Sequence, residues 1–341
     1  MIHKTLRFAT LALVVGLAAC SGTAPSPQTP AGPQVVPGIV RAAGTVVRFG
    51  GPRSRVQSSP GWISPDARKK QRSLLYASSY DGGFINIYKE RGNDQAPIGK
   101  LTTDLVSPQG MVVDAHHQLW VANTNAFNVV AFKRGSTTPF TTLSDPNYFP
   151  ISVGVDSNGT VYAANAESST GPPGNVTVWT KGNTNPTGTL TYAGFMIVLG
   201  VGVDSSNNVY VTYIPKSGPP AMVEFAAGTT TGQPVAIQDA NVGDMSFDKS
   251  GNMLLETLTN VLGVWAPPYT SGPTRTIPAF GNEPTLDRGQ HTVWIAYANF
   301  SNPMVEGYDY TTGAQTDVIT NGWTPNSAVP YGVALDPSLA P

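Results

Sequence analysis

One phrase of residues recurs along this chain and constrains its fold more than any other feature. Ser152-Val-Gly-Val-Asp-Ser-Asn-Gly-Thr-Val-Tyr-Ala-Ala-Asn165 alternates in hydrophobicity, breaks at a polar turn and alternates again. Residues 110–123 and 200–212 repeat it closely, and residues 244–255 and 283–295 repeat it more weakly. Alternation with period two on both sides of an Asp/Ser/Asn/Gly turn is the pattern of a strand hairpin. Each unit runs on into a third strand that ends in an aromatic and a glycine turn, at residues 132–135, 179–182, 225–228 and 310–313. At residues 88–92 the same ending is one residue longer, and a polar fourth strand follows each unit, as at residues 188–192 and 233–238.

The second-strand aromatics or their equivalents stand at Tyr76, Trp120, Tyr162, Tyr210, Leu254 and Trp294, in steps of 44, 42, 48, 44 and 40 residues. A period of about 40–50 residues with four strands per unit is that of propeller blades. Six units predict an all-β fold, a six-bladed β-propeller of four-stranded antiparallel blades over residues 73–341. A large β-sandwich, the alternative, gives no fixed period. The first strands agree with the propeller. Positions one and three before the turn Asp are mostly large (Val113 and Met111, Val155 and Val153), while positions two and four are usually small (Gly154 and Ser152, Gly202 and Gly200). A strand lining a narrow axis needs one bulky side and one lean one.

Closure of the ring is also legible. A seventh first-strand copy, Gly332-Val-Ala-Leu-Asp336, stands at the C-terminus with no blade after it. It is expected to supply the inner strand of the first blade, beside residues 74–78. Residues 61–66 compete for that place, but Pro65 has no N–H to give to a ladder.

The residues before the propeller divide in three. Residues 1–20 read as a targeting segment, with Lys4 and Arg7 ahead of an apolar run too short to span a bilayer. Residues 21–40 hold no charge and are rich in Pro, Ser, Thr and Gly, the composition of a disordered tether. Residues 41–72 carry eight basic side chains against Asp66 alone, whereas residues 73–341 carry ten basic and twenty acidic ones. This basic segment either lies solvated against the acidic propeller or meets anionic lipid. Nucleic acid is not expected as a partner, because the export signal and the acidic body both oppose it.

Two resemblances follow from these residues. Leu17-Ala-Ala-Cys20 resembles the lipobox of bacterial lipoproteins, which implies cleavage before Cys20, its lipidation (palmitate among the acyl groups), and anchorage in the cell envelope, at the outer membrane if there is one. Cys20 is the single cysteine of the chain, so no disulfide framework exists. The repeat resembles NHL-repeat propellers and the wider superfamily of gluconolactonase and regucalcin-like proteins. That resemblance covers about 270 residues and implies the fold; the superfamily spans enzymes, scaffolds and binding modules.

Propeller ligands meet the face where the inner strands begin. The loops there carry Tyr80, Tyr148, Tyr213, Tyr297 and Trp323 among amides such as Asn123 and Asn165. Rings beside amides suit a glycan, a peptide or an envelope protein, unless the rings only plug the channel mouth. Asp244 and Glu283 occupy positions where other blades have Gly or Ser, and with Glu167 they form a candidate site for calcium. His116, His117 and His291 fall in turns on the opposite face, which leaves the candidate face without an imidazole base. The sequence therefore favours a non-catalytic binding module over an enzyme. The alternatives are a divalent-metal-dependent hydrolase of the lactonase type and a purely structural spacer.

Overall fold

A computed structural model describes residues 34–36, 39–42, 45–48 and 59–337. The expected signal segment with Cys20 and most of the expected tether lie outside them. Across the end of that tether and the start of the basic segment, strands Gln34–Val36, Ile39–Ala42 and Thr45–Arg48 pair as an antiparallel meander.

Six antiparallel sheets follow, each a blade of a six-bladed β-propeller. The inner strands of blades 2 to 6 are Pro108–Val113, Tyr148–Val155, Ile197–Val203, Ser246–Phe247 and Asn282–Leu286. In each, the next three strands follow in chain order outward. The hairpin after each inner strand is built by its Asp. Asp114 Oδ1 accepts the N–H of His116 and of Gln118 at 2.8 and 2.9 Å. Asp156, Asp204 and Asp248 accept from the residues two and four further on at 2.8 to 2.9 Å. A short carboxylate at that position closes the turn on its own backbone, which is why the repeat keeps an Asp there.

Between blades the core is made by the third-strand aromatics. Phe132, Trp179, Phe225 and, in blade 5, Trp265 are all at most 1% exposed. Burying such a ring contributes on the order of 2–3 kcal/mol. The lean positions are as tightly constrained. A Cβ on Gly200 would stand 1.9 Å from the carbonyl oxygen of Gly243 in the next blade. Gly200→Ala is therefore expected to cost about 1–3 kcal/mol by overpacking, read as a lower denaturant midpoint; an unchanged midpoint would show that the inner strands sit further apart.

Blade 1 has five strands, and its composition settles the competition for the inner place. Val333–Asp336 pairs with Leu74–Ser79 as the innermost strand, and Trp62–Ile63 pairs with Gly99–Leu101 as the outermost. The C-terminal strand is extended by Ser78 N–H to Gly332 O at 3.0 Å and Tyr331 N–H to Ser78 O at 2.9 Å. Phe84–Lys89 lies between. Blade 1 is thus drawn from both ends of the propeller chain, and the ring has no raw inner edge.

Asp336 stands where every other inner strand has its turn Asp, but no hairpin follows it. Its carboxylate, 1% exposed, takes other partners: His117 Nδ1 at 2.6 Å and Arg134 Nη1 at 2.5 Å, both from blade 2. Arg134 also donates to the carbonyl of Arg72, and at 3.4 to 3.5 Å to those of Lys69 and Pro337. One guanidinium therefore ties the segment before the first blade to the last strand.

Candidate functional site: the mouth of the axial channel

The inner strands begin around a small cavity at the channel mouth, bordered by Gln109, Asp244, Glu256, Asn282, Glu283 and Tyr331 among others. Its free volume is about 20 Å3, room on the order of one water. Below it, the inner strands enclose an axial cavity of about 390 Å3. Asp244 and Glu283 border both spaces, so the two carboxylates divide the mouth from the axis.

The lean repeat positions opposite them are shaped to these acids. A Cβ on Gly332 would fall 2.0 Å from Glu283 Oε2, and one on Gly110 would fall 3.3 Å from Asp244 Oδ2. Glu283 reaches across the axis so that its Oε1 accepts the backbone N–H of Met111 in blade 2. Its own backbone is held at φ 53°, a left-handed conformation that costs a non-glycine residue on the order of 1 kcal/mol. Burial at the axis pushes the Asp244 carboxyl up to about 7. Glu283 is raised well above the ordinary range, first by burial and then by the charge of Asp244. Two acids so placed favour sharing protons over standing as two anions.

Glu256 joins them from the end of the second strand of blade 5. The equivalent positions in the other blades hold Ser78, Ala122, Ala164, Thr212 and Ala296. An acid at an otherwise small position was the available signal for it. Glu167 does not line the mouth. Among the described residues, no group of three or more His, Cys, Asp or Glu side chains is arranged to hold a metal ion.

The seven ring and amide residues expected on this face divide by exposure. Tyr80, Tyr213 and Trp323 are buried at 3%, 5% and 8%. Tyr80 packs against Tyr331 and accepts from Asn125 Nδ2 at 3.0 Å. Tyr213 meets Phe195 and Tyr192 edge to face, and Trp323 stacks on Phe84. Asn123 and Asn165 are fully buried and belong to the scaffold. The Asn123 amide donates to the Asp104 carbonyl at 2.8 Å and accepts from the N–H of Val106, fixing the loop before blade 2. Asn165 donates to Asn175 and Thr177, and Thr177 in turn to Asp145, whose carboxyl burial raises to about 7. Tyr148 and Tyr297 remain half-exposed on the rim. Tyr213 and Trp323 thus pack into the blades, and among the aromatics Tyr331, with Tyr80 behind it, is the one that borders the mouth.

The fold defines the class: the chain is a six-bladed β-propeller closed by its C-terminal strand, with a narrow mouth above a wider axial cavity. No family model matches it, and no curated protein is similar to it. It is similar in structure to a chain in a crystal structure of a nidogen/laminin complex, with a TM-score of 0.62 and 14% identity over 78% of this chain and 99% of that one.

Proposed function

We propose that the chain is a non-catalytic binding module of the bacterial cell envelope, a propeller of the NHL-repeat kind held there by lipid on Cys20. It engages a protein partner through the rim around its narrow mouth. The observation that carries this reading is the mouth volume of about 20 Å3 between the inner strands and Tyr331. A small substrate finds no room there, while a rigid rim of loops presents a broad surface to a macromolecule. The structural neighbour, solved in a complex of nidogen with laminin, supports a protein partner for this architecture. A glycan or peptide at the same rim, or a spacer with no partner, are the competing outcomes.

The test uses a photo-crosslinking residue at position 148 or 297 on the rim, or at exposed position 157 on the opposite turns. The reading expects one discrete crosslinked protein from both rim positions and none from position 157. Equal labelling everywhere, or none, would leave the spacer role. Metabolic labelling with palmitate should disappear in Cys20→Ser; persistence of the label would refute the anchor. A second reading, the calcium-dependent hydrolase, rests on Asp244 and Glu283 meeting at the mouth. It would be carried by a calcium-dependent rise in melting temperature that is lost in Glu283→Gln.

A further inference from the structure

On the face away from that rim, the turn face, neighbouring blades meet along lateral clefts that are filled differently around the ring. Between blades 4 and 5 the cleft is packed by Tyr210, Phe247 and Tyr269, with ring centroids 5.4 to 6.4 Å apart. Between blades 5 and 6 it is covered by Tyr310, whose hydroxyl donates to Asp248 at 2.9 Å and whose ring carries the Arg275 guanidinium at 4.1 Å. Between blades 2 and 3 the covering group is missing. The residue equivalent to Tyr310 is Trp179, and its Nε1–H donates to the carbonyl of Ser144, at the end of the outer strand of blade 2, at 3.3 Å. A cleft of about 590 Å3 remains, within the size range of small-molecule sites.

Its walls combine two chemistries. Phe140, 40% exposed on the outer strand of blade 2, stands edge-on to Trp120 at 6.0 Å and 76°. The Trp120 indole is fixed by its Nε1–H donating to Asp114 Oδ2 at 2.9 Å. Trp179 completes the apolar floor. Around it stand Asp114, Lys181 and Asn183, an anion, a cation and a neutral amide that together offer both donors and acceptors. The Lys181 stem is laid along Gly159, where a Cβ would meet it at 3.3 Å, so the cation is kept at the edge of the cleft.

From this geometry we infer that the cleft between blades 2 and 3 is a binding site for a neutral saccharide. A sugar ring has an apolar C–H face, which suits Phe140 and Trp120, and a hydroxyl rim, which suits a ring of mixed donors and acceptors. The opposed charges of Asp114 and Lys181 give no preference for an ionic ligand. A purely apolar ligand would leave the same polar groups desolvated without partners. The site is separate from the rim that carries the proposed protein contact, so either can fail without the other.

Maltohexaose, cellohexaose, xylohexaose and chitohexaose are the probes, each titrated into the full-length protein while tryptophan emission and heat are followed. At least one is expected to change the emission of the cleft tryptophans and to bind with a Kd in the millimolar range or tighter. Phe140→Ala should weaken that binding at least tenfold, and Asn183→Ala should weaken it by a smaller factor. Tyr148→Ala, on the other face, should leave it unchanged. Phe140 lies outside the core, so an unaltered melting temperature in Phe140→Ala confirms that the loss is local. Absence of emission change and heat with all four sugars up to about 10 mM overturns the proposal. So does binding that Phe140→Ala leaves intact.

Discussion

Asp336→Ala is expected to lower the stability of the propeller by about 3–5 kcal/mol. The change would strand the guanidinium of Arg134, only 8% exposed, beside four backbone carbonyls and no counter-charge. It would also remove the acceptor of His117 Nδ1. For a domain of this size the loss corresponds to a fall in melting temperature of about 10 °C. The same pair should show strong coupling. Removing both charges in Arg134→Met with Asp336→Leu should cost less than either single change, because a buried ion pair barely outperforms an apolar replacement while a lone buried charge is heavily penalised. Additive losses in that double-mutant cycle would mean that the clasp is not a unit. Single losses below about 1 kcal/mol would mean that it behaves as an ordinary surface pair.

Glu283→Gln is expected to stabilise the protein at alkaline pH and to flatten its pH dependence. In the folded state Asp244 titrates near 7 and Glu283 above its ordinary range, both raised first by burial. In the unfolded chain both release their protons at ordinary carboxylate values. From the ordinary carboxylate range up through 7, the folded protein thus holds protons that the unfolded chain has lost. Stability therefore falls as pH rises through that window. The variant, which has no proton to lose at this position, should therefore be more stable than the native protein at pH 8. Near pH 4 the two should be alike. Facing the pair are Glu256, Gln109, Asn282, the Ser152 hydroxyl and the backbones of Met111 and Val333, none of them basic, so no cation among them offsets the effect. Asp145, also raised to about 7 by burial, leaves a residual slope of the same sign in the variant. Parallel melting curves for the two proteins between pH 5 and 8 would contradict this account of the axis.

The architecture was legible because the repeat encodes a covalently local device. An Asp that binds backbone N–H groups two and four residues on makes the hairpin in blades 2 to 5, and in blade 6 Asp287 binds those four and five residues on. The closing strand, Gly332 to Asp336, was readable for the same reason. Its second use was not. Nothing local marks Asp336 as a partner for Arg134, 202 residues away; that contact exists only once the ring closes. The site shows the same division. Asp244 and Glu283 stood out as acids in lean positions, and the axis brings them together as the period requires. The rings did not reveal their exposure. Whether Tyr80 or Trp323 faces solvent depends on Tyr331 and Phe84 arriving from elsewhere in the ring. Hydrophobic rings in long loops find each other before they find solvent, so Tyr148 and Tyr297 alone among the named rings stay on the rim. The cleft between blades 2 and 3 was out of reach for a related reason, since its walls come from two blades that meet only in the folded ring.

Hydrogen exchange of the C-terminal strand tests the ring most directly. The account requires that the amides of Val333–Asp336 exchange as slowly as those of their partners in Leu74–Ser79, because both lie in one sheet and open only when the ring opens. It also requires that Asp336→Ala accelerate both segments together. Full exchange of residues 333–336 within seconds, while residues 74–79 stay protected, would show that the last strand is a tail and that the propeller is closed by some other means.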